Sequence, residues 1–141
     1  MTAKEYLHQA YRLDNRIHSD IEEIGRLREM STSISSPQLG DKVQSSRPSD
    51  APFVKSIAKI VELQEKIDSE VELLVALKDQ IRTVIENVPD TNEQMVLRYR
   101  YIHNMTWESI GEELYADSRT VRRWHGSALM HVVLPEDAIK I

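Results

Sequence analysis

The run Thr106-Trp107-Glu108-Ser109-Ile110-Gly111-Glu112-Glu113-Leu114, continued after Tyr115-Ala116 by Asp117-Ser118-Arg119-Thr120-Val121-Arg122-Arg123-Trp124-His125-Gly126-Ser127-Ala128, spells two short helices around a tight turn. Thr106 and Asp117 are hydroxyl and carboxylate side chains of the kind that cap helix N-termini. Ile110, Gly111 and Leu114 form the inner face of the first helix, and Val121, Trp124, Ala128 and Val132 that of the second. Upstream, Thr91-Asn92-Glu93-Gln94 has the form of a capping box and opens a bracing helix through Met95, Val96, Tyr99 and Ile102. That helix is expected to end near Asn104, a residue that tolerates the left-handed conformation. Two short helices joined by a turn and braced by a third make a helix-turn-helix over residues 90–134.

Working outward, Pro89 stops a long helical pattern, because the residue before a proline is pushed out of the helical region. In that pattern Ile57, Ile60, Gln64, Ile67, Val71, Leu74, Lys78, Ile81, Ile85 and Val88 alternate at steps of three and four, as in a coiled coil. Gln64 and Lys78 are expected as polar interruptions of the seam, and Leu63, Leu73, Leu77 and Val84 as a second apolar flank. A first helix, over about 3–30, carries Leu7, Ala10, Ile17, Ile21 and Ile24, interrupted by Asp14. Between the two lies a stretch rich in Ser, Pro, Gly and Asp, expected to be a disordered connector over 31–52. The expected organisation is therefore all-α: a helical hairpin or coiled coil over 1–88 (helices about 3–30 and 53–88), the C-terminal module over 90–134, and a tail over 135–141. An antiparallel hairpin is the simplest filling of the seam, and a coiled-coil homo-oligomer is the alternative.

The chain has 141 residues, with 40% hydrophobic, 6% aromatic and 29% charged side chains. That balance suits helices burying a stripe. No run approaches the roughly 18 apolar residues of a membrane helix, and Met1-Thr2-Ala3-Lys4-Glu5 opens no secretory signal. With no cysteine as well, the expectation is a cytoplasmic protein without a membrane partner. The net charge of −5 is unhelpful for nucleic-acid binding, and residues 91–141 carry six basic and seven acidic side chains. Binding to DNA must then rest on a local basic cluster.

The quoted run, with Asp117, Val121, Arg122 and Ala128-Leu129, resembles region 4 of sigma-70-type factors, without a gap. Gln94-Met95-Val96-Leu97-Arg98-Tyr99-Arg100-Tyr101 is similar to that family's first helix, which reads roughly Arg-x-Val-Leu-x-Leu-Arg-Tyr. The likeness covers residues 90–134. Nothing in the first ninety residues resembles the promoter-melting region. A helical hairpin ahead of such a module is similar to small transcription regulators carried by phages of Gram-positive bacteria. The resemblance implies control of phage or mobile-element transcription, double-stranded DNA as partner, contact with host RNA polymerase, and neither catalysis nor a cofactor.

Two departures from the family stand out. Tyr115 occupies the turn position where glycine is usual, and a left-handed non-glycine residue costs roughly 1–2 kcal/mol, so a turn of different shape is expected. The start of the second helix has Ser118, Arg119, Thr120, Arg122 and Arg123 in place of acidic and Gln side chains, so the bases read are expected to differ from a standard promoter element. The face opposite Val121, Trp124, Ala128 and Val132 holds Arg119, Arg123, Gly126, Ser127 and Met130. Arginine suits guanine edges and phosphates. Arg119 and Arg123 are expected to reach bases with Ser118 and Thr120 nearby, Arg122 to hold the backbone, and Gly126 to leave room for a phosphate. The alternative is that these arginines merely solvate the helix or pair with Glu112 or Glu113.

Other signals carry less. His125 and His131 do not share a helical face and have no thiolate or carboxylate cluster beside them, so no metal site is expected. No nucleophile triad, phosphate-cradling loop or paired acid in an apolar setting stands out, and an enzyme is not expected. The functions left open are a DNA-binding transcription regulator, the DNA-recognition subunit of a phage packaging machine, and a protein-interaction adaptor that uses the helix-turn-helix as a docking surface.

Overall fold

The computed structural model describes residues 1–34 and 46–141, with side chains over 1–32 and 53–141. The described residues form helices and no strand: α1 (Ala3–Ile34), α2 (Ser46–Glu86), α3 (Thr91–Leu97), which runs into a π-helical turn at Arg98–Ile102, α4 (Trp107–Leu114) and α5 (Ser118–His131). None of them is long and apolar enough to cross a membrane. The two long helices reach further than the sequence pattern suggested. Residues 31–34 belong to α1 and 46–52 to α2, while 35–45, the rest of the expected connector, lie outside the described residues. Pro48 is compatible with α2 because the first helical turn needs no N–H donors. At the other end Thr2 and Glu5 cap α1 reciprocally: Glu5 N–H donates to Thr2 Oγ1 at 3.1 Å and Thr2 N–H to Glu5 Oε2 at 2.8 Å.

The chain divides into two compact units, residues 15–72 and residues 1–14 with 73–141. In the first, α1 and α2 run antiparallel: Arg16 meets Glu70 at 3.9 Å and Asp20 meets Lys66 at 3.6 Å, so ascending numbers on one helix face descending numbers on the other. Its core is Ile24, Ile60 and Leu63, flanked by Leu27 and Ile67. The seam differs from the expected one. On α2 the inward residues are Ser56, Ile60, Leu63 and Glu70, while Ile57, Gln64 and Val71 are exposed; on α1 Asp20 is inside and Ile21 outside. A helix facing one partner buries a single stripe. The chosen frame shares Ile60 and Ile67 with the expected one but takes Leu63 in place of Gln64, and its polar member is Glu70.

Asp20 and Glu70 are thus two buried carboxyl groups in one seam. Burial, and then the neighbouring Asp20 carboxyl, push the Glu70 pKa up, opposed by Lys66 and Arg16. Two like charges brought together out of water cannot both ionise cheaply, so Glu70 holds its proton more readily than in the unfolded chain.

In the second unit the start of α1 lies against the end of α2. Tyr6, Leu7 and Ala10 share a core with Leu77, Ile81, Val84, Ile85 and Val88, and with Leu97, Tyr101, Ile102 and Ala128 from the C-terminal helices. Here Leu77 and Val84 of the second flank are buried together with Ile81, Ile85 and Val88, because two sides of α2 are covered, while Leu73, also expected in that flank, is exposed. Lys78, the other expected interruption, is half-buried and donates from Nζ to the Ile102 carbonyl at 3.3 Å. Residues 135–141 are tied down by two glutamines. Gln9 donates to the Ile139 carbonyl and accepts from Ile141 N–H, and Gln80 accepts from Ile139 N–H and donates to the Asp137 carbonyl. Tyr6 Oη donates to Gln80 Oε1 at 2.7 Å and so fixes the amide that grips the tail.

The raised Glu70 pKa sets a sign for stability. The acid form is favoured in the folded state, so its contribution is fullest below the unfolded pKa and is lost as pH rises through the folded value. Glu70→Gln is expected to raise the urea midpoint at neutral pH, with the gain over wild type shrinking as the buffer is acidified. A gain that does not vary with pH would mean that Glu70 has the same pKa in the folded and unfolded states.

Candidate nucleic-acid interface

Local chemistry sets up the C-terminal helices. Asp90, one residue before the expected Thr91, caps α3 by accepting from Glu93 N–H at 3.0 Å. Gln94 turns back to donate to the carbonyls of Glu86 and Val88, closing the corner at Pro89 instead of completing a capping box. Asn104 takes the left-handed conformation at φ 55°, where the helix was expected to end. Thr106 caps α4 by accepting from Ser109 N–H at 3.1 Å, and Asp117 caps α5 by accepting from Thr120 N–H at 2.7 Å. That Thr120 N–H, then the Thr120 side chain, and Arg119 and Arg123 nearby hold the Asp117 carboxyl below the usual carboxylate range.

The turn between α4 and α5 keeps the left-handed shape without glycine: Tyr115 has φ 53° and ψ 47°, and its side chain is 96% exposed. The position expected to reshape the turn instead accepts the strain, with the ring spent on no contact that relieves it. Gly111 makes the turn possible. Its carbonyl accepts the N–H of both Tyr115 and Ala116, and a Cβ on Gly111 would lie 2.5 Å from the Ala116 carbonyl oxygen. Val96, Ile110 and Val121 then form a small core, edged by Tyr99, Met105, Trp107, Leu114, Ala116 and Trp124, which sets the angle at which α5 leaves the turn.

On α5 the buried residues are Val121, His125 and Ala128, with Trp124 half-buried. Arg119, Arg122, Arg123, Gly126 and Ser127 are exposed, and Met130 is 84% exposed. Ser118 and Thr120 are half-buried at the capped end, apart from the open face on which Arg119 and Arg123 sit one turn from each other. Among the described residues none of the three arginines has a carboxylate within ion-pairing distance, and Glu112 and Glu113 pair with none of them. A Cβ on Gly126 would meet nothing within 4 Å, so the surface there is open. Arg122 is drawn aside: its guanidinium lies 5.9 Å from the Trp107 ring centre, and Arg100 sits over the same ring at 4.2 Å.

The two histidines have structural partners. His125 Nε2 and Tyr101 Oη share a hydrogen bond at 2.6 Å, and the Trp107 ring stands edge-on to His125 at 4.8 Å. Burial, with Lys4 and Arg100 nearby, lowers the His125 pKa to about 4, and burial raises Tyr101 to about 12, so both are neutral at physiological pH. His131 Nδ1 meets Glu93 at 2.6 Å and ties the end of α5 to α3. Nothing in residue order singles out Arg100 and Trp107 as a pair, and only the tertiary structure brings two guanidiniums to the Trp107 ring.

The match of a family model over residues 33–132, most of the chain, settles membership. The chain belongs to the DUF1492 family, described as a protein of unknown function. No curated protein and no solved structure matches it. The DUF1492 match takes in α2 through α5 and ends one residue beyond α5, so the capped turn and the arginine face fall within it.

Two substitutions separate strain from close approach in this DUF1492 chain. Tyr115→Gly is expected to stabilise by up to about 1 kcal/mol, because relief of the left-handed penalty exceeds the entropy glycine adds to the unfolded chain. Gly111→Ala is expected to destabilise by about 2 kcal/mol through its clash with backbone. Urea unfolding of both variants checks the opposite signs. His125 adds a pH dependence. Because its folded pKa is depressed, its contribution is complete above about 6.5 and is lost as pH falls toward about 4. Urea midpoints across that window are expected to fall for wild type relative to His125→Gln, and parallel curves would count against a neutral buried imidazole.

Proposed function

We propose that this protein is a sequence-specific DNA-binding transcription regulator of phage or mobile-element type. In this reading α4 and α5 form a helix-turn-helix of the sigma region 4 kind, α5 enters the major groove, and RNA polymerase is the protein partner. The observation that carries it is the face of α5: Arg119 and Arg123 one turn apart, exposed and in no ion pair among the described residues, with the capping Asp117 as their nearby carboxylate, beside the bare backbone of Gly126 and the exposed Ser127. A solvated helix in an acidic chain would be expected to pair its arginines with nearby glutamates. Arg119 and Arg123 read base edges, for which a bidentate guanidinium on guanine is the commonest means, and Gly126 and Ser127 face the backbone. Arg122, held at the Trp107 ring, acts on phosphate, Thr120 secures the end of the helix through Asp117, and Ser118 lies beside it. With no net positive charge to hold the protein on arbitrary DNA, affinity depends on this cluster and falls steeply with salt.

The test is enrichment of genomic fragments by the purified protein at near-physiological salt, with Arg119→Ala/Arg123→Ala as comparison. Wild type is expected to select a few upstream regions, and the double variant to lose that selection while melting at the same temperature. Equal selection by both would remove Arg119 and Arg123 from the interface. No salt-sensitive binding to any fragment would replace this reading with a protein-interaction adaptor.

A further inference from the structure

A cleft of about 220 Å³ opens between the start of α1 and the π-helical turn, lined by His8, Tyr11, Arg100, Tyr101, Asn104 and Thr106. No carboxylate lines it. Three of its polar groups are already engaged: Tyr101 with His125, Thr106 with Ser109, and the Asn104 amide with Asp14 Oδ2 at 3.4 Å. Arg100 spends one N–H on the Met105 carbonyl at 2.9 Å, and among the described residues it has no ion pair. His8 and Tyr11, whose rings lie 5.3 Å apart, are exposed side chains with further donors. The cleft therefore offers donors and one guanidinium, and the carboxylate at its edge, Asp14, is engaged by Asn104. Lys4 adds to that charge, since it and Arg100 both act on His125.

Its position gives the donors a purpose. Arg100 and Arg122 share the Trp107 ring, so the cleft adjoins the arginine face of α5 with no acidic side chain paired in between. Glu108 and Glu112 line a different hollow, with Tyr115 and Asp117. Successive backbone phosphates of a duplex are charged at spacings that a protein follows with rows of basic groups. We propose that this cleft holds a phosphate of the DNA backbone, with Arg100 as its principal ligand and His8 and Tyr11 as further donors, so that α1 extends the interface beyond α5. The inference rests on the DNA-binding reading above. It assigns to α1 a part in recognition that the helix-turn-helix alone does not have.

A phosphate ligand and a base-reading residue fail in different ways. Affinity is measured by fluorescence anisotropy across a salt series for a duplex selected by wild type and for an unrelated duplex. Arg100→Gln and His8→Glu are expected to weaken both duplexes several-fold and by the same factor, and Arg100→Gln to make the slope of log affinity against log salt shallower by about one. Arg119→Ala/Arg123→Ala changes the ratio between the duplexes instead. His8 is exposed on α1, so His8→Glu keeps the test valid should Arg100→Gln melt early. Unchanged affinity and slope in both variants, with wild type binding normally, overturns the cleft and leaves the α5 reading intact. Wild type that binds neither duplex overturns both. Inorganic phosphate is the third probe: saturable binding lost in Arg100→Gln, while that variant binds duplex as wild type does, reassigns the cleft to a free anion.

Discussion

The second long helix carries more apolar surface near its end than one partner can cover, and the C-terminal half of the protein is arranged around that surplus. Leu77, Ile81, Val84, Ile85 and Val88 are all buried, on one side by Tyr6, Leu7 and Ala10 and on the other by Leu97, Tyr101, Ile102 and Ala128. Each such side chain removed from water contributes about 2 kcal/mol, more than any single capping or surface polar contact. Through Ala128 this core reaches the inner face of α5. The orientation of the exposed arginines is thus set by packing that begins on α2.

Polar groups inside the molecule show two solutions to the cost of burial. Tyr101 and His125 are buried as a neutral hydrogen-bonded pair, each held in its uncharged form by desolvation, and the bond spends the donor of one on the acceptor of the other. Asp20 and Glu70 are two carboxyl groups buried side by side, with Lys66 and Arg16 at the edge of ionic contact. A seam position that costs stability can still fix the register of two helices, because any slip would place these groups against apolar neighbours. The arginines of α5 lie at the other extreme, exposed and in no ion pair among the described residues. Under the proposed function the partner supplies those charges, and Arg122 and Arg100 on the shared Trp107 ring link the α5 face to the cleft beside α1.

Several features were legible in residue order because they are decided within a few residues. Thr106 and Asp117 cap α4 and α5, Asn104 ends the preceding helix in the left-handed region, Pro89 separates α2 from α3, and the all-α composition follows from stripe periodicity. The alternation of inner and outer faces on α5 is of the same kind: a period of 3.6 residues puts Arg119 and Arg123 opposite Val121 and Ala128 whatever lies beneath.

What residue order left undecided was every choice between partners of similar merit. The apolar positions of α2 allow two overlapping frames; only the opposing residues of α1 select Leu63 and Glu70 over Gln64 and Val71, since one stripe can face one helix. Thr91 and Asp90 are both good caps, and the Gln94 contacts across Pro89 accompany the choice of Asp90. Tyr115 could have unwound the turn, yet the approach of Gly111 to the Ala116 carbonyl and the core of Val96, Ile110 and Val121 hold it left-handed. Local sequence determined where helices start, stop and turn their faces, because hydrogen bonds and side-chain period act over one or two turns. Tertiary structure alone decided which faces meet, that His125 is neutral, and that Arg100 and Arg122 share one indole, because those depend on groups far apart in the chain brought within a few ångströms by a common core.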